Sequence, residues 1–168
     1  MKQKLVILGG GESGVGTAIL GQQKGYDVFV SDYGAIKDTY AQVLSSNQIN
    51  WEDKGHTVSE IIAADIVVKS PGIADVAPII CSLKQAGVKV ISEIEFAAQF
   101  TDATIVAITG SNGKTSTASL TYALLKDDLN VALGGNIGDS FAAQVAAPGY
   151  ENFVLELSSF QLDGIEKF

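Results

Sequence analysis

The sequence predicts an α/β protein made of two parallel-sheet units, and three observations predict it. Apolar runs of three to six residues alternate with longer helix-compatible segments along the chain, the order that places parallel strands under covering helices. Two glycine turns, GGGESG and GSNG, each follow an apolar run and open a helical segment, about a hundred residues apart. At 168 residues and 46% apolar content, the chain can bury the core of one ordinary domain or of two small α/β units.

The elements follow in order. Lys4–Leu8 (KLVIL) reads as a buried strand, and the glycine turn after it opens a helix over Gly14–Lys24. Strand Asp27–Ser31, helix Ala35–Ser46, strand Asp65–Lys69, helix Val76–Ala86 and strand Val88–Ile91 complete the first unit. Ser92–Ala103 (SEIEFAAQFTDA) reads as a short helical connector, in which Phe96 and Phe100 share a face at i, i+4 and are expected to pack in the core. Strand Thr104–Thr109, helix Lys114–Lys126, strand Val131–Leu133, helix Ser140–Ala146 and strand Asn152–Glu156 begin a second unit. The expected division is 1–92, a connector at 93–103, and 104–168.

Composition removes several function classes. A net charge of −8 with no Lys/Arg cluster argues against nucleic acid, which requires a basic face. Backbone amides at a helix N-terminus still suit a small anion. Cys81 is the only cysteine, which excludes an intramolecular disulfide and a cysteine-based metal site. The N-terminus does not resemble a signal peptide, and no apolar run approaches the ~20 residues that span a bilayer. A soluble, cytoplasmic protein without a membrane partner is expected.

LVILGGGESGVG holds Gly9-x-Gly11-x-x-Gly14 directly after the first strand. This spacing lets a backbone approach a diphosphate at a helix N-terminus, so the first unit is expected to be Rossmann-like. Asp32 ends the next strand, 18 residues after Gly14, where a carboxylate can accept from a ribose or a base. A nicotinamide cofactor in an oxidoreductase, a nucleotide-diphosphate substrate and a ligand-free turn all fit the pattern. Ser70-Pro71-Gly72-Ile73 follows the third predicted strand, at a sheet end where ligands bind, although Pro-Gly alone marks an ordinary turn.

Gly110-Ser111-Asn112-Gly113-Lys114-Thr115 departs from the common phosphate loop, since Ile108 occupies the position of its first glycine. The chemistry-bearing parts remain. Gly110 and Gly113 free the backbone to wrap phosphate, Lys114 can reach β/γ-phosphates, and Thr115, followed by Ser116, can offer a hydroxyl to Mg²⁺. Glu156, ending an apolar run, supplies the carboxylate that a Mg²⁺–ATP site needs on a neighbouring strand. His56, the sole histidine, lies in the polar stretch NWEDKGHTV and reads as a solvated loop residue.

The ordered set GGGESG, SPGI, EIEF, AITGSNGKTS, GGNIG and VLELSSFQL resembles the Mur ligases, with ELSSFQL nearest the D-glutamate-adding branch. The shortened Gly-x-x-Gly-Lys-Thr loop is that superfamily's own form. The resemblance implies ATP and Mg²⁺ as cofactors, with UDP-N-acetylmuramoyl-L-alanine and D-glutamate as substrates. It implies an acyl phosphate intermediate, a cytoplasmic setting and a monomeric full-length protein. Gly11, Glu12, Ser13 and Gly14 would hold the UDP diphosphate. Asp32 and Tyr33 would sit at the uracil, and Ser70, Pro71 and Gly72 would border the same nucleotide. Gly110 to Ser116 would bind ATP, Thr115 and Glu156 would bind Mg²⁺, and Lys114, Asn136 and Glu156 would serve catalysis. Tyr33 and Gly34 stand where the family commonly has Thr and Arg. The resemblance also implies a carboxylated lysine, a metal-binding histidine and a C-terminal domain beyond Phe168, so these 168 residues alone are expected to lack ligase activity. A non-catalytic nucleotide-binding module is the remaining alternative.

Overall fold

A computed structural model describes residues 2–147 and 149–168. The first half contains β1 (Lys4–Leu8), α1 (Glu12–Gln23), β2 (Asp27–Ser31), α2 (Asp38–Ser46), β3 (Asn50–Glu52), α3 (Val58–Ile62), β4 (Ile66–Lys69), α4 (Pro78–Ala86) and β5 (Lys89–Ile91). α5 (Glu93–Ala98) leads to β6 (Thr104–Ile108), α6 (Lys114–Leu125), β7 (Val131–Gly135), α7 (Phe141–Ala146), β8 (Asn152–Glu156) and α8 (Ser159–Leu162). One sheet has the order β3-β2-β1-β4-β5 and the other β6-β8-β7, and every pairing is parallel. The α/β class expected from the sequence is the class observed.

Strand parity explains the layering. In β1, Leu5 and Ile7 join the core under α1 and α5, while Val6 and Leu8 join a cluster with Ile61, Ile80 and Leu83 from α3 and α4. Both faces are covered, so the strand is apolar throughout instead of alternating. The strand order reverses between β1 and β4. The Gly9 turn and the Ser70 loop therefore lie side by side at the carboxyl edge, where open sheets bind ligands.

The two sheets share a core. Leu5, Ile7 and Phe96 belong to the same buried cluster as Ala132, Phe141, Phe153 and Leu155. Phe96 and Phe100 stack edge to face at 5.1 Å, and Tyr26 meets Phe96 at 5.7 Å, so the connector phenylalanines do pack inward. Polar bonds cross the same boundary. Glu93, only 4% exposed, accepts from Ser140 Oγ at 2.6 Å and from Ala142 N at 2.9 Å.

Three elements escape the sequence pattern: β3, α3 and α8. β3 is a three-residue edge strand that pairs only with β2. α3 has five residues and no side-chain cap, and α8 has four. Such short pieces leave no periodicity to read. α4 begins at Pro78, two residues later than predicted, because proline suits the first helical turn, where its missing N–H costs nothing.

Candidate functional site

The first glycine turn closes onto α1 by backbone contact. A Cβ on Gly14 would lie 1.9 Å from Gly9 O, so only glycine permits this turn. Gly11 is the N-cap of α1 and offers no side-chain cap, which leaves first-turn amides available to an anion. Glu12 points elsewhere: its Oε1 accepts from Ser140 N at 3.2 Å, tying the turn to α7. Burial raises the Glu93 pKa, and the bonds from Ser140 and Ala142 N only partly oppose it.

Asp32 serves the backbone. Its Oδ2 accepts from Gly10 N at 2.7 Å and its Oδ1 from Gly34 N at 2.8 Å, so the carboxylate shapes both turns beside a cavity. That cavity, ≈ 490 Å³, is bordered by Gly9, Asp32, Tyr33, His56, Ser70 and Ile73, among others. His56 corrects the sequence expectation. It is half-buried, its Nδ1 lies 2.7 Å from the buried Ser31 Oγ, and its ring sits 5.8 Å from that of Tyr33. No local signal marks it, because β3 and α3, which bracket it, are themselves unreadable from pattern.

In the second glycine turn, Gly113 caps α6 with φ +74°, a left-handed conformation natural to glycine. Ser111, Asn112, Thr115 and Ser116 are exposed around it. Lys114 Nζ donates to Gly110 O at 2.7 Å, which leaves two of the three ammonium donors uncommitted. Strand register sets what stands beside this loop. Glu156 pairs with Ile108 on one side and with Gly135 on the other, so the loops after β6 and β7 flank it. Glu156 is 1% exposed. Its Oε1 accepts from Asn136 Nδ2 at 2.8 Å, while its buried Oε2 has no partner among the described residues.

A cleft of ≈ 630 Å³ joins the two halves, with Pro71, Gly72 and Ile73 on one wall and Asn136, Ser158 and Phe160 on the other. Lys69 holds the first wall by donating to Ile73 O at 2.7 Å and pairing with Asp75 at 3.1 Å. The ELSSFQL motif builds the second wall: Ser158 and Gln161 form a capping box on α8, and Phe160 stays 68% exposed. Of the sequence-predicted residues, Asp32, Tyr33 and Ser70 meet at one cavity and Pro71, Gly72 and Asn136 at the other.

This arrangement agrees with the comparisons to known proteins. Residues 4–79 match the family description "MurD N-terminal domain", and residues 108–167 match "Mur ligase middle domain". The chain belongs to the Mur ligase family. Over 169 aligned residues it is 59% identical to the UDP-N-acetylmuramoylalanine–D-glutamate ligase of Christiangramia forsetii, covering 100% of this chain and 38% of that one. The corresponding ligase of Bacteroides thetaiotaomicron is 54% identical over 99% of this chain and 38% of its own. The chain thus spans 38% of the length of these relatives. Among solved structures, a pseudomurein peptide ligase type C from Methanothermus fervidus superposes with a TM-score of 0.58 at 27% identity, over 94% of this chain and 33% of that one. A UDP-N-acetylmuramate:L-alanyl-gamma-D-glutamyl-meso-diaminopimelate ligase from Neisseria meningitides has a TM-score of 0.62 at 19% identity, over 93% of this chain and 52% of that one, and supports the fold. No helix among the described residues is long and apolar enough to cross a membrane.

Proposed function

We propose that this chain carries the UDP-substrate region and the ATP phosphate loop of a ligase that adds D-glutamate to UDP-N-acetylmuramoyl-L-alanine. In this reading, residues 1–92 bind the UDP-substrate, 93–103 connect, and 104–168 begin the ATPase unit. The observation that carries it is Glu156: a buried carboxylate oxygen without a donor among the described residues, level with a Gly-Lys-Thr loop. Burying such an oxygen unpaired is costly, and a cation held jointly with phosphate removes that cost.

The donor set fits Mg²⁺, which favours one or two carboxylates with substrate phosphates over an all-protein cage. No group of three or more His, Cys, Asp or Glu that could hold a metal occurs among the described residues. Glu156 and the Thr115 hydroxyl would hold the ion, which when bound supplies positive charge against the phosphates. Lys114 would place its uncommitted donors on the same phosphates, and the amides of Gly110 to Ser116 would cradle them. Asn136 orients Glu156 through its side-chain bond and also borders the cleft, where it would position the alanyl carboxylate for attack on the γ-phosphate. Attack by the carboxylate oxygen transfers the phosphoryl group and releases ADP. The D-glutamate amine would then displace phosphate to form the amide. These residues contribute chiefly positioning and electrostatic stabilisation.

At the other end of the substrate, the amides of Gly11 to Gly14 and the Ser13 hydroxyl would take the diphosphate. The base would occupy the cavity between Tyr33, His56 and Ser70. Calorimetric titration of the folded chain with UDP-N-acetylmuramoyl-L-alanine tests this and should give one-site binding. A folded chain that gives no heat with this ligand would refute the substrate assignment.

A further inference from the structure

The EIEF motif places two carboxylates on α5, and both leave the helix to hold the second half of the chain. Glu93 and Glu95 are buried. Two residues apart on a helix, they stand about 200° apart around its axis, so they reach opposite sides. On one side Glu93 accepts from Ser140 Oγ and Ala142 N. On the other, Glu95 Oε2 accepts from three successive amides: Glu166 N at 3.0 Å, Lys167 N at 3.0 Å and Phe168 N at 3.1 Å. Successive amides converging on one anion make a charge-assisted clamp.

Further contacts lay segment 164–168 along the connector. Ser92 N donates to Gly164 O at 3.1 Å. A Cβ on Gly164 would lie 2.8 Å from Ser92 Cβ, so this approach needs glycine. Ile165 packs on the core that both halves share, and Lys89 pairs with Glu166 at 2.8 Å. The segment closely follows α8, which carries Phe160 on the second wall of the cleft. A four-residue helix is too short to be stable by itself, so its position depends on tertiary contacts. α5 packs under the first sheet, with Ile94 and Phe96 in the core of Leu5 and Ile7. The clamp therefore ties the second cleft wall to the half that carries the first.

We propose that Glu95 is a positioning residue for the substrate cleft: by holding segment 164–168, it fixes α8 and Phe160 opposite Pro71 and Gly72. The inference rests on the substrate reading of that cleft. Glu95 then sets affinity for the muramoyl-alanyl part of the substrate and leaves the UDP end, on the Gly9 turn and the Ser70 cavity, unaffected. An anchor that serves stability alone would not separate the two ends.

The test titrates the folded chain with UDP-N-acetylmuramoyl-L-alanine and with UDP in a calorimeter, and follows hydrogen exchange of peptides within 158–168 by mass spectrometry. Glu95→Gln keeps an acceptor and removes the charge that strengthens these bonds. It should cut the preference for the substrate over UDP about fivefold, with UDP affinity within about twofold of wild type. Glu95→Ala removes all three bonds and should cut the preference further. Peptides within 158–168 should exchange faster in both variants, and those within 4–31 at the wild-type rate. Faster exchange with a wild-type preference would make Glu95 an anchor that does not position the cleft, and overturn the proposal while the substrate reading stands. Unchanged exchange would show that the carboxylate is not the anchor, and a parallel loss of UDP affinity would show a general loss of structure; either also overturns it. If the folded wild type shows no preference for the substrate over UDP, the cleft is not a substrate site and both readings fall.

Discussion

Replacing Glu156 by Gln should stabilise the ligand-free chain while removing its response to nucleotide. In the structure, Asn136 Nδ2 satisfies Oε1 at 2.8 Å, and Oε2 is buried without a donor among the described residues. Leaving a buried acceptor unsatisfied costs about 1–3 kcal/mol, and more when it is charged. Glu156→Gln keeps an oxygen for Asn136 and removes the charge. The amide nitrogen that replaces Oε2 also lacks a partner, so only the charge-specific part of the penalty is recovered, about 1 kcal/mol. In a chain of this size, that raises Tm by roughly 2–4 °C. Thermal unfolding followed by circular dichroism, with and without Mg²⁺–ATP, measures both effects. Saturation at a hundredfold over Kd would add about 2.7 kcal/mol to the wild type, and much less to the variant. A variant less stable than wild type in ligand-free buffer would refute the claim that Oε2 lacks a partner. An equal ATP-induced shift in both proteins would remove Glu156 from the nucleotide site.

Three further outcomes follow from the packing. Gly16→Ala puts a Cβ 2.4 Å from Ser140 Oγ and 2.9 Å from Ala143 N; the α1–α7 clash costs about 2–3 kcal/mol against ~1 kcal/mol of helix propensity gained, so urea unfolding should show a net loss, and unchanged stability would mean the helices are not docked. Glu93→Gln and Glu95→Gln should change the pH profile of stability in opposite senses. Burial is the largest influence on both, raising Glu93 overall, whereas the amides of Glu166, Lys167 and Phe168 and the Lys89 charge outweigh it at Glu95 and pull that group down. A raised folded pKa gives stability present at acid pH and lost as pH rises through it, so Glu93→Gln should flatten that loss; a depressed pKa gives stability present above the unfolded value and lost on acidification, so Glu95→Gln should flatten the acid loss. Denaturation midpoints across the acid range would check both signs. Phe160→Ala, at an exposed position on the cleft wall, should leave Tm within ~1 °C and lower affinity for UDP-N-acetylmuramoyl-L-alanine about threefold to tenfold, with UDP affinity unchanged in the same calorimeter.

The sequence by itself determined the parallel α/β class, the two glycine turns and the residues that would bear phosphate chemistry. These signals are local. A strand buried on both faces is an apolar run such as KLVIL, so β1, β2 and β8 match their predicted spans. A turn needing close backbone approach demands glycine at Gly14 and favours it at Gly113. Gly10 as a partner of Asp32, Ser140 as a partner of Glu93 and Asn136 as the partner of Glu156 were not legible, because these hydrogen bonds join residues 20 or more positions apart. Only the tertiary structure decided that Asp32 braces two turns, that Glu93 fastens α7 to the connector, and that Glu156 keeps one oxygen unpaired between two loops. The same reason separates His56 from the reading of its own neighbourhood. A polar loop suggests solvent, yet parallel pairing of β2 with β3 brings Ser31 and Glu52 into register and seats that histidine against Ser31 at a cavity wall.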